Sequence, residues 1–86
     1  PRHGLDQMSL LDLWQWDEAI FLSATEGSPM RRTGYQSFMR NVAIGLGNAP
    51  FDGQIIQALQ QQRNQHDEIV QVHIDWAVQE QLAKSS

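Results

Sequence analysis

The fold of this chain is decided by residues 35–46, which are YQSFMRNVAIGL. Apolar residues recur here at steps of three and four, the spacing that aligns side chains along one face of an α-helix. We therefore predict a helix with a wide buried stripe. The stripe consists of Tyr35, Phe38, Met39, Val42, Ala43 and Leu46.

Helix starts outside this stretch are indicated by residues that can cap free backbone amides. Thr33 and Gln36 fit a capping box, in which the two side chains bond each other's backbone amides, so the central helix should start near Gly34. The other candidate N-caps are single residues whose side-chain oxygens can accept from the first turn. They are Ser9, Asp52 and Asp67, while Asp17 and Glu18 are expected to open a further short helix.

These starts divide the chain into about five helices with no strand. Gly27 and Pro29 end the second helix, because glycine tolerates a left-handed cap and proline cannot continue the hydrogen-bond ladder. We expect an all-α fold of antiparallel helix pairs, a HEAT-like helical bundle. Residues 1–8 are predicted to be a coil lead-in and residues 9–86 a single domain.

Composition limits the chemistry that the chain can support. Its 86 residues suffice for one small domain, and 41% of them are apolar. The absence of cysteine excludes disulfides, thiolate zinc sites, iron–sulfur ligation and cysteine nucleophiles within these residues. No apolar run approaches the roughly 18 residues of a membrane span. The first residue, Pro1, indicates a processed chain or the boundary of an excised segment.

Catalytic and metal motifs are also missing from the pattern. The histidines lack the i, i+4 spacing of a helical zinc site, and no serine lies in a G-x-S-x-G motif. The adjacent acidic pairs stand at predicted helix starts, where the helix dipole accounts for them. We therefore predict no catalytic, cofactor-binding or metal-binding residue in this chain. The histidines are His3, His66 and His73, and the acidic pairs are Asp17-Glu18 and Asp67-Glu68.

Positive charge is concentrated in one segment of an acidic chain. The net charge is −4, yet residues 27–51 hold Arg31, Arg32 and Arg40 and no acidic residue. Guanidinium groups beside a helix N-terminus could bind phosphates of a nucleic-acid backbone. The alternative is internal salt bridging to nearby acidic residues, namely Asp17, Glu18 or Glu26. A DNA-binding helix-turn-helix is disfavoured, because the connection over residues 27–33 is longer than that motif uses.

Four stretches together resemble the C-terminal region of epoxyqueuosine reductases. They are WDEAIFL at 16–22, TEGSPMRRTGY at 25–35, RNVAIGLGNAP at 40–50 and HIDWA at 73–77. The resemblance covers roughly residues 9–80. It implies a cytoplasmic enzyme of queuosine biosynthesis that reduces the epoxide of epoxyqueuosine in the anticodon loop of certain tRNAs, using cobalamin and two 4Fe–4S clusters.

The resemblance also implies a role for this segment. The family's C-terminal part is similar to HEAT-like repeats that help to grip tRNA, so the expected partners are the tRNA anticodon stem-loop and the parent enzyme's catalytic domain. The expected nucleic-acid-binding residues are Arg31, Arg32, Arg40 and, more weakly, Asn41. Since the chain lacks every cluster cysteine, the activity cannot belong to it alone. The alternative is a non-catalytic structural or protein-interaction module whose arginines dock on an acidic surface of the parent.

Overall fold

A computed structural model describes residues 7–85, and all regular structure in that range is helical. The predicted all-α fold is confirmed. None of the described helices has the length and apolarity needed to cross a bilayer. The elements are α1 (Gln7–Trp14), α2 (Glu18–Ala24), α3 (Met30–Thr33), α4 (Tyr35–Asn48), α5 (Gly53–Gln62), a 3-10 turn (Arg63–Gln65) and α6 (Glu68–Lys84).

Aspartates cap three helix starts, and the sequence predicts the caps at Asp52 and Asp67. In each case an aspartate in extended backbone conformation precedes the helix, and its Oδ1 accepts a hydrogen bond from a first-turn amide. Asp17 accepts from Ile20 at 2.8 Å, Asp52 from Gln54 at 2.9 Å and Asp67 from Val70 at 3.0 Å.

Two other predicted caps were wrong. Ser9 lies inside α1, which already includes Gln7, so it cannot be that helix's N-cap, and residues 7 and 8 are helical and not part of a coil lead-in. Residues 1–6 lie outside the described part of the chain. Thr33 is the last residue of α3, and Gly34 is the N-cap of α4. Gly34 adopts φ +88°, a backbone conformation that favours glycine, and this turn separates α3 from α4.

The short helix α3 was not among the predicted elements. It occupies part of the segment from Gly27 to Thr33 that the sequence indicated as a connection. Gly27 has φ +78°, which confirms the left-handed turn expected there, and Pro29 then serves as the N-cap of α3. Pro29 has φ −58°, close to helical geometry, so the chain re-enters a helix directly after the turn.

The core forms where α4 packs against α6. The two helices run in the same direction, because Gln36 and Val70 line one cavity near their starts while Leu46 meets Gln81 near their ends. Helix α5 runs the opposite way, since Asp52 at its start bonds Gln81 near the end of α6. All predicted stripe residues of α4 are buried apart from the half-buried Tyr35.

Gly47 allows the closest approach between α4 and α6. A Cβ at this position would lie 2.6 Å from Cζ3 of Trp76 and 2.9 Å from Cα of Ala77. Separations below 3 Å are not compatible with real Cβ atoms, so only glycine fits without a shift of the α6 backbone. Helix α4 continues through Gly47 to Asn48.

The end of α6 holds the corner between α4 and α5. The fully buried Gln81 donates from Nε2 to the carbonyls of Leu46 at 2.8 Å and Ala49 at 2.9 Å, and its Oε1 accepts from the Asp52 amide at 2.9 Å. Lys84 donates to the carbonyls of Gly47 at 2.7 Å and Ala49 at 2.6 Å. Lys84 lies in the last turn of α6 and thus places positive charge at the negative ends of both α6 and α4.

Candidate nucleic-acid interface

Arg31 and Arg32 are exposed on α3, immediately before the start of α4. Neither forms a salt bridge or side-chain hydrogen bond with any residue in the described range 7–85. The internal pairing with Asp17, Glu18 or Glu26 that the sequence left open is therefore not adopted by these two guanidinium groups. Both remain available to an external anion.

The start of α4 adds partial positive charge beside these arginines. Gly34 has no side chain with which to cap the helix, and no side-chain cap bond is formed there. The first amides of an α-helix lack intrahelical acceptors, and the helix dipole places partial positive charge at the same end. Two guanidinium groups next to an open helix start favour an oxyanion such as phosphate.

Arg40 and Asn41 point to different sides of α4. Asn41 is exposed and lines a groove of about 320 Å³ together with Thr33, the last residue of α3. Arg40 is half-buried and lines a small cavity of about 70 Å³ that faces Asp67 and Ile69 at the start of α6. It forms no salt bridge within the described residues. Hence Asn41 lies on the side of α3, whereas Arg40 lies on the side of α6.

A polar pocket of about 260 Å³ lies near the start of α4 and was not foreseen from the sequence. The hydroxyl of Tyr35 donates to the carbonyl of Trp16 at 2.6 Å. Burial, followed by the nearby charges of Asp17 and Glu18, raises the pKa of Tyr35 above its ordinary value. The phenol therefore stays protonated at neutral pH. The pocket is lined by Gln15, Trp16, Asp17, Tyr35, Gln61, Gln62 and Gln65.

Gln62 links two other parts of the fold to α5. Its Nε2 donates to the Trp14 carbonyl at 2.8 Å, and its Oε1 lies 3.1 Å from Nε2 of His66. These contacts connect α5 to both α1 and the segment before α6. Gln57 and Gln60, in contrast, are exposed. Nothing in the local sequence distinguishes Gln62 from its neighbours.

His66 and His73 contact other residues of the fold, and these contacts account for them without a catalytic or metal-binding role. His66 is buried, its ring lies 5.2 Å from that of Trp14, and burial lowers its pKa despite the opposing charge of Asp67. His73 contacts the carbonyl of Ile69 through Nδ1 at 2.8 Å. His3 lies outside the described residues.

The donor set does not fit the metal groups that the resemblance implies. The chain contains no cysteine for an iron–sulfur cluster, and residues 7–85 include no group of three or more metal-ligating side chains. A groove of about 360 Å³ between α4 and α6 is lined by Ile44, Val72, His73 and Trp76. Its walls are mainly apolar, so it lacks the hydrogen-bonding groups that the amide side chains of a corrinoid need.

Arg63 differs from Arg31, Arg32 and Arg40 because it has an ion-pair partner within residues 7–85. Its Nε and a terminal nitrogen donate to the two carboxylate oxygens of Asp75, each at 2.8 Å. The hydrogen bond from Arg63 lowers the pKa of Asp75 below its ordinary value. Arg63 can therefore serve as a control for Arg31 and Arg32, because it is a cation that already has a partner.

Comparison with known proteins gives one consistent group of relatives. The chain is 47% identical over 78 residues to an epoxyqueuosine reductase of Pseudomonas aeruginosa, 50% identical over 84 residues to one of Shewanella oneidensis, and 40% identical over 84 residues to one of Escherichia coli. These matches cover 91%, 95% and 98% of this chain, but only 22%, 21% and 22% of the relatives. The matched part is the C-terminal part of the relatives. No family model and no solved structure matches the chain.

Proposed function

The chain is homologous to the C-terminal part of epoxyqueuosine reductases, and on this basis we propose that it is the tRNA-contacting and supporting domain of such an enzyme. The parent would reduce epoxyqueuosine to queuosine in tRNA anticodon loops, in the cytoplasm. The observation that supports this role best is the pair of exposed guanidinium groups of Arg31 and Arg32, which have no ion-pair partner within residues 7–85 and lie at the open start of α4.

Arg31 and Arg32 are the central contacts in this proposal. Guanidinium forks bind phosphate oxygens bidentately, and the adjacent helix start favours the same anion. Asn41, at the groove shared with Thr33, would contact a neighbouring phosphate or sugar. Arg40, on the side of α6, would extend the positive surface at its edge. The expected ligand is the anticodon stem-loop.

Catalysis is assigned to the rest of the parent enzyme. The chain spans about a fifth of the length of these relatives, and it has no cysteine to hold the two 4Fe–4S clusters. Cobalamin is likewise assigned to the portion outside this chain. The helices of residues 7–85 would act as a HEAT-like scaffold that orients the RNA toward that portion.

Salt-dependent binding of an anticodon stem-loop to the 86-residue chain tests the proposal. Three phosphate contacts predict a log–log slope of affinity against salt of about −2 to −3. Arg31→Ala and Arg32→Ala should each reduce the magnitude of this slope by roughly 0.7 to 0.9. The matched control is Arg63→Ala, which also removes one positive charge but from a cation already paired with Asp75, and it should leave the slope unchanged.

A flat salt response, or equal effects of all three substitutions, would contradict the RNA contact. The alternative is a structural module whose arginines dock on an acidic surface of the parent. In that case the isolated chain has no affinity for the stem-loop. Arg31→Ala and Arg32→Ala would then lower the thermal stability of the full-length reductase more than that of the isolated chain.

A further inference from the structure

Helix α6 has apolar side chains on two faces that polar residues separate. Its inner face is buried in the core through Val70, Ile74, Ala77 and Val78. Its outer face carries three more apolar side chains at helical spacing, and their exposed fractions are large. Ile69 is 58% exposed, Val72 63% and Trp76 38%. An exposed apolar patch on a helix whose other face is already buried is typical of a contact with another protein surface.

A rotation of α6 cannot bury this outer face within the domain. Gly47 of α4 already lies too close to Trp76 and Ala77 to accept even a Cβ atom. Gln81 fixes the far end of the helix through three hydrogen bonds of 2.8 to 2.9 Å to the corner between α4 and α5. The exposed apolar surface is therefore a fixed property of the packed domain.

The outer face has the shape of a docking groove. Ile44 of α4 and Val72, His73 and Trp76 of α6 line the groove of about 360 Å³, and Ile69 lies one turn before Val72 on the same face. No lysine or arginine of residues 7–85 lines it, so this part of the chain offers no cation there to a phosphate backbone. Its chemistry fits an apolar protein surface.

We infer that the outer face of α6 packs against an apolar surface of the preceding part of the reductase polypeptide. The homologous segment forms only 20–23% of the relatives' length and lies at their C-terminal end, so about four fifths of such an enzyme precedes it. That portion is tethered to this domain and so is present at high effective concentration. The inference rests on the homology and not on RNA binding by the arginines.

This segment has no cysteine, so an introduced thiol is unique within it, and its peptide can be told apart by mass from the cluster cysteines assigned to the rest of the reductase. Val72→Cys places a thiol on the outer face, and Gln57→Cys places a control thiol on the exposed side of α5. Alkylation by a maleimide is followed by mass spectrometry, in the 86-residue chain and in a full-length reductase that ends in this segment. Both thiols should react at similar rates in the isolated chain. In the full-length protein, the thiol at position 72 should react at least about tenfold more slowly, with no change at position 57.

Three outcomes would overturn the inference. The first is a thiol at position 72 that stays fully reactive in the full-length reductase. The second is protection in the isolated chain that grows with concentration, because it would assign the face to a second copy. The third is protection that appears only when a stem-loop RNA is added. Ile69→Cys provides an independent probe of the same face, and loss of RNA binding in Arg31→Ala would not alter either readout.

Discussion

Replacement of Gln81 should reveal how strongly one buried amide holds the helices together. Gln81→Met keeps the length and volume of the side chain but removes its two donors and its acceptor. The substitution therefore deletes the bonds to the carbonyls of Leu46 and Ala49 and from the amide of Asp52. Its effect isolates the polar contribution of this corner, because the apolar packing around the fully buried side chain is largely retained.

The magnitude follows from the number of bonds. Each contributes about 1 kcal/mol net, which sets an upper value near 3 kcal/mol for the three. The carbonyl of Leu46 also accepts from the Ala49 amide at 3.3 Å, and the carbonyl of Ala49 also accepts from Lys84. Neither carbonyl is left without a donor, so we expect a loss of about 2–3 kcal/mol. For a domain of this size that corresponds to a fall in Tm of roughly 10–20 °C.

Urea and thermal unfolding followed by far-ultraviolet circular dichroism measure this loss. The control is Gln79→Met on the same helix, where the side chain is exposed and the free energy of unfolding should change by no more than about 0.5 kcal/mol. If the free energy of unfolding of Gln81→Met differs from that of the unsubstituted chain by no more than about 0.5 kcal/mol, the three hydrogen bonds do not stabilise the corner. The description of α6 as fixed at that end is then wrong.

Two further predictions concern packing and pH. Gly47→Ala should lower the free energy of unfolding by about 1–3 kcal/mol, because its Cβ would collide with Trp76 and the backbone of Ala77; Gly53→Ala, which meets nothing within 4 Å, should not destabilise the chain in the same urea titration. The pKa of His66 is lowered in the folded state, so the unfolded chain binds the proton first and stability should decline as pH falls through about 6.5. His66→Phe should flatten that part of the pH profile, and an unchanged slope would contradict the assignment.

The parts of the fold that the sequence predicts are those governed by neighbouring residues. Asp17, Asp52 and Asp67 cap their helices because an N-cap acts on amides two or three positions away. Thr33 and Gln36 satisfy the same local rule, yet the conformation of Gly34 places the cap one residue later. The capping motif alone does not show that the residues immediately before it already form another helix, α3.

Polar contacts between residues far apart in the sequence could not be predicted from local sequence patterns. The bonds of Gln81 to Leu46 and of Gln62 to Trp14 join residues 35 and 48 positions apart. The amides involved look the same in sequence as the exposed glutamines around them. Their roles are set by where the helices meet, which depends on the approach of α4 to α6 at Gly47.

The candidate interface was partly accessible from sequence. Exposure of Arg31 and Arg32 agrees with the expected basic surface, and consecutive residues on a helix point about 100° apart, which separates Arg40 from Asn41. Which neighbour each of these side chains faces could not be derived, because that depends on the placement of α3 and α6 around α4.

The three tryptophans occupy three distinct environments. Trp14 is completely buried, Trp16 is half-buried against Phe38, and Trp76 lies 38% exposed on the outer face of α6. A dissolved quencher such as iodide should therefore extinguish the emission of Trp76 first and leave that of Trp14 nearly intact. The domain thus contains its own optical probe of that face, and enclosure of Trp76 would shift its emission to shorter wavelength without any added label.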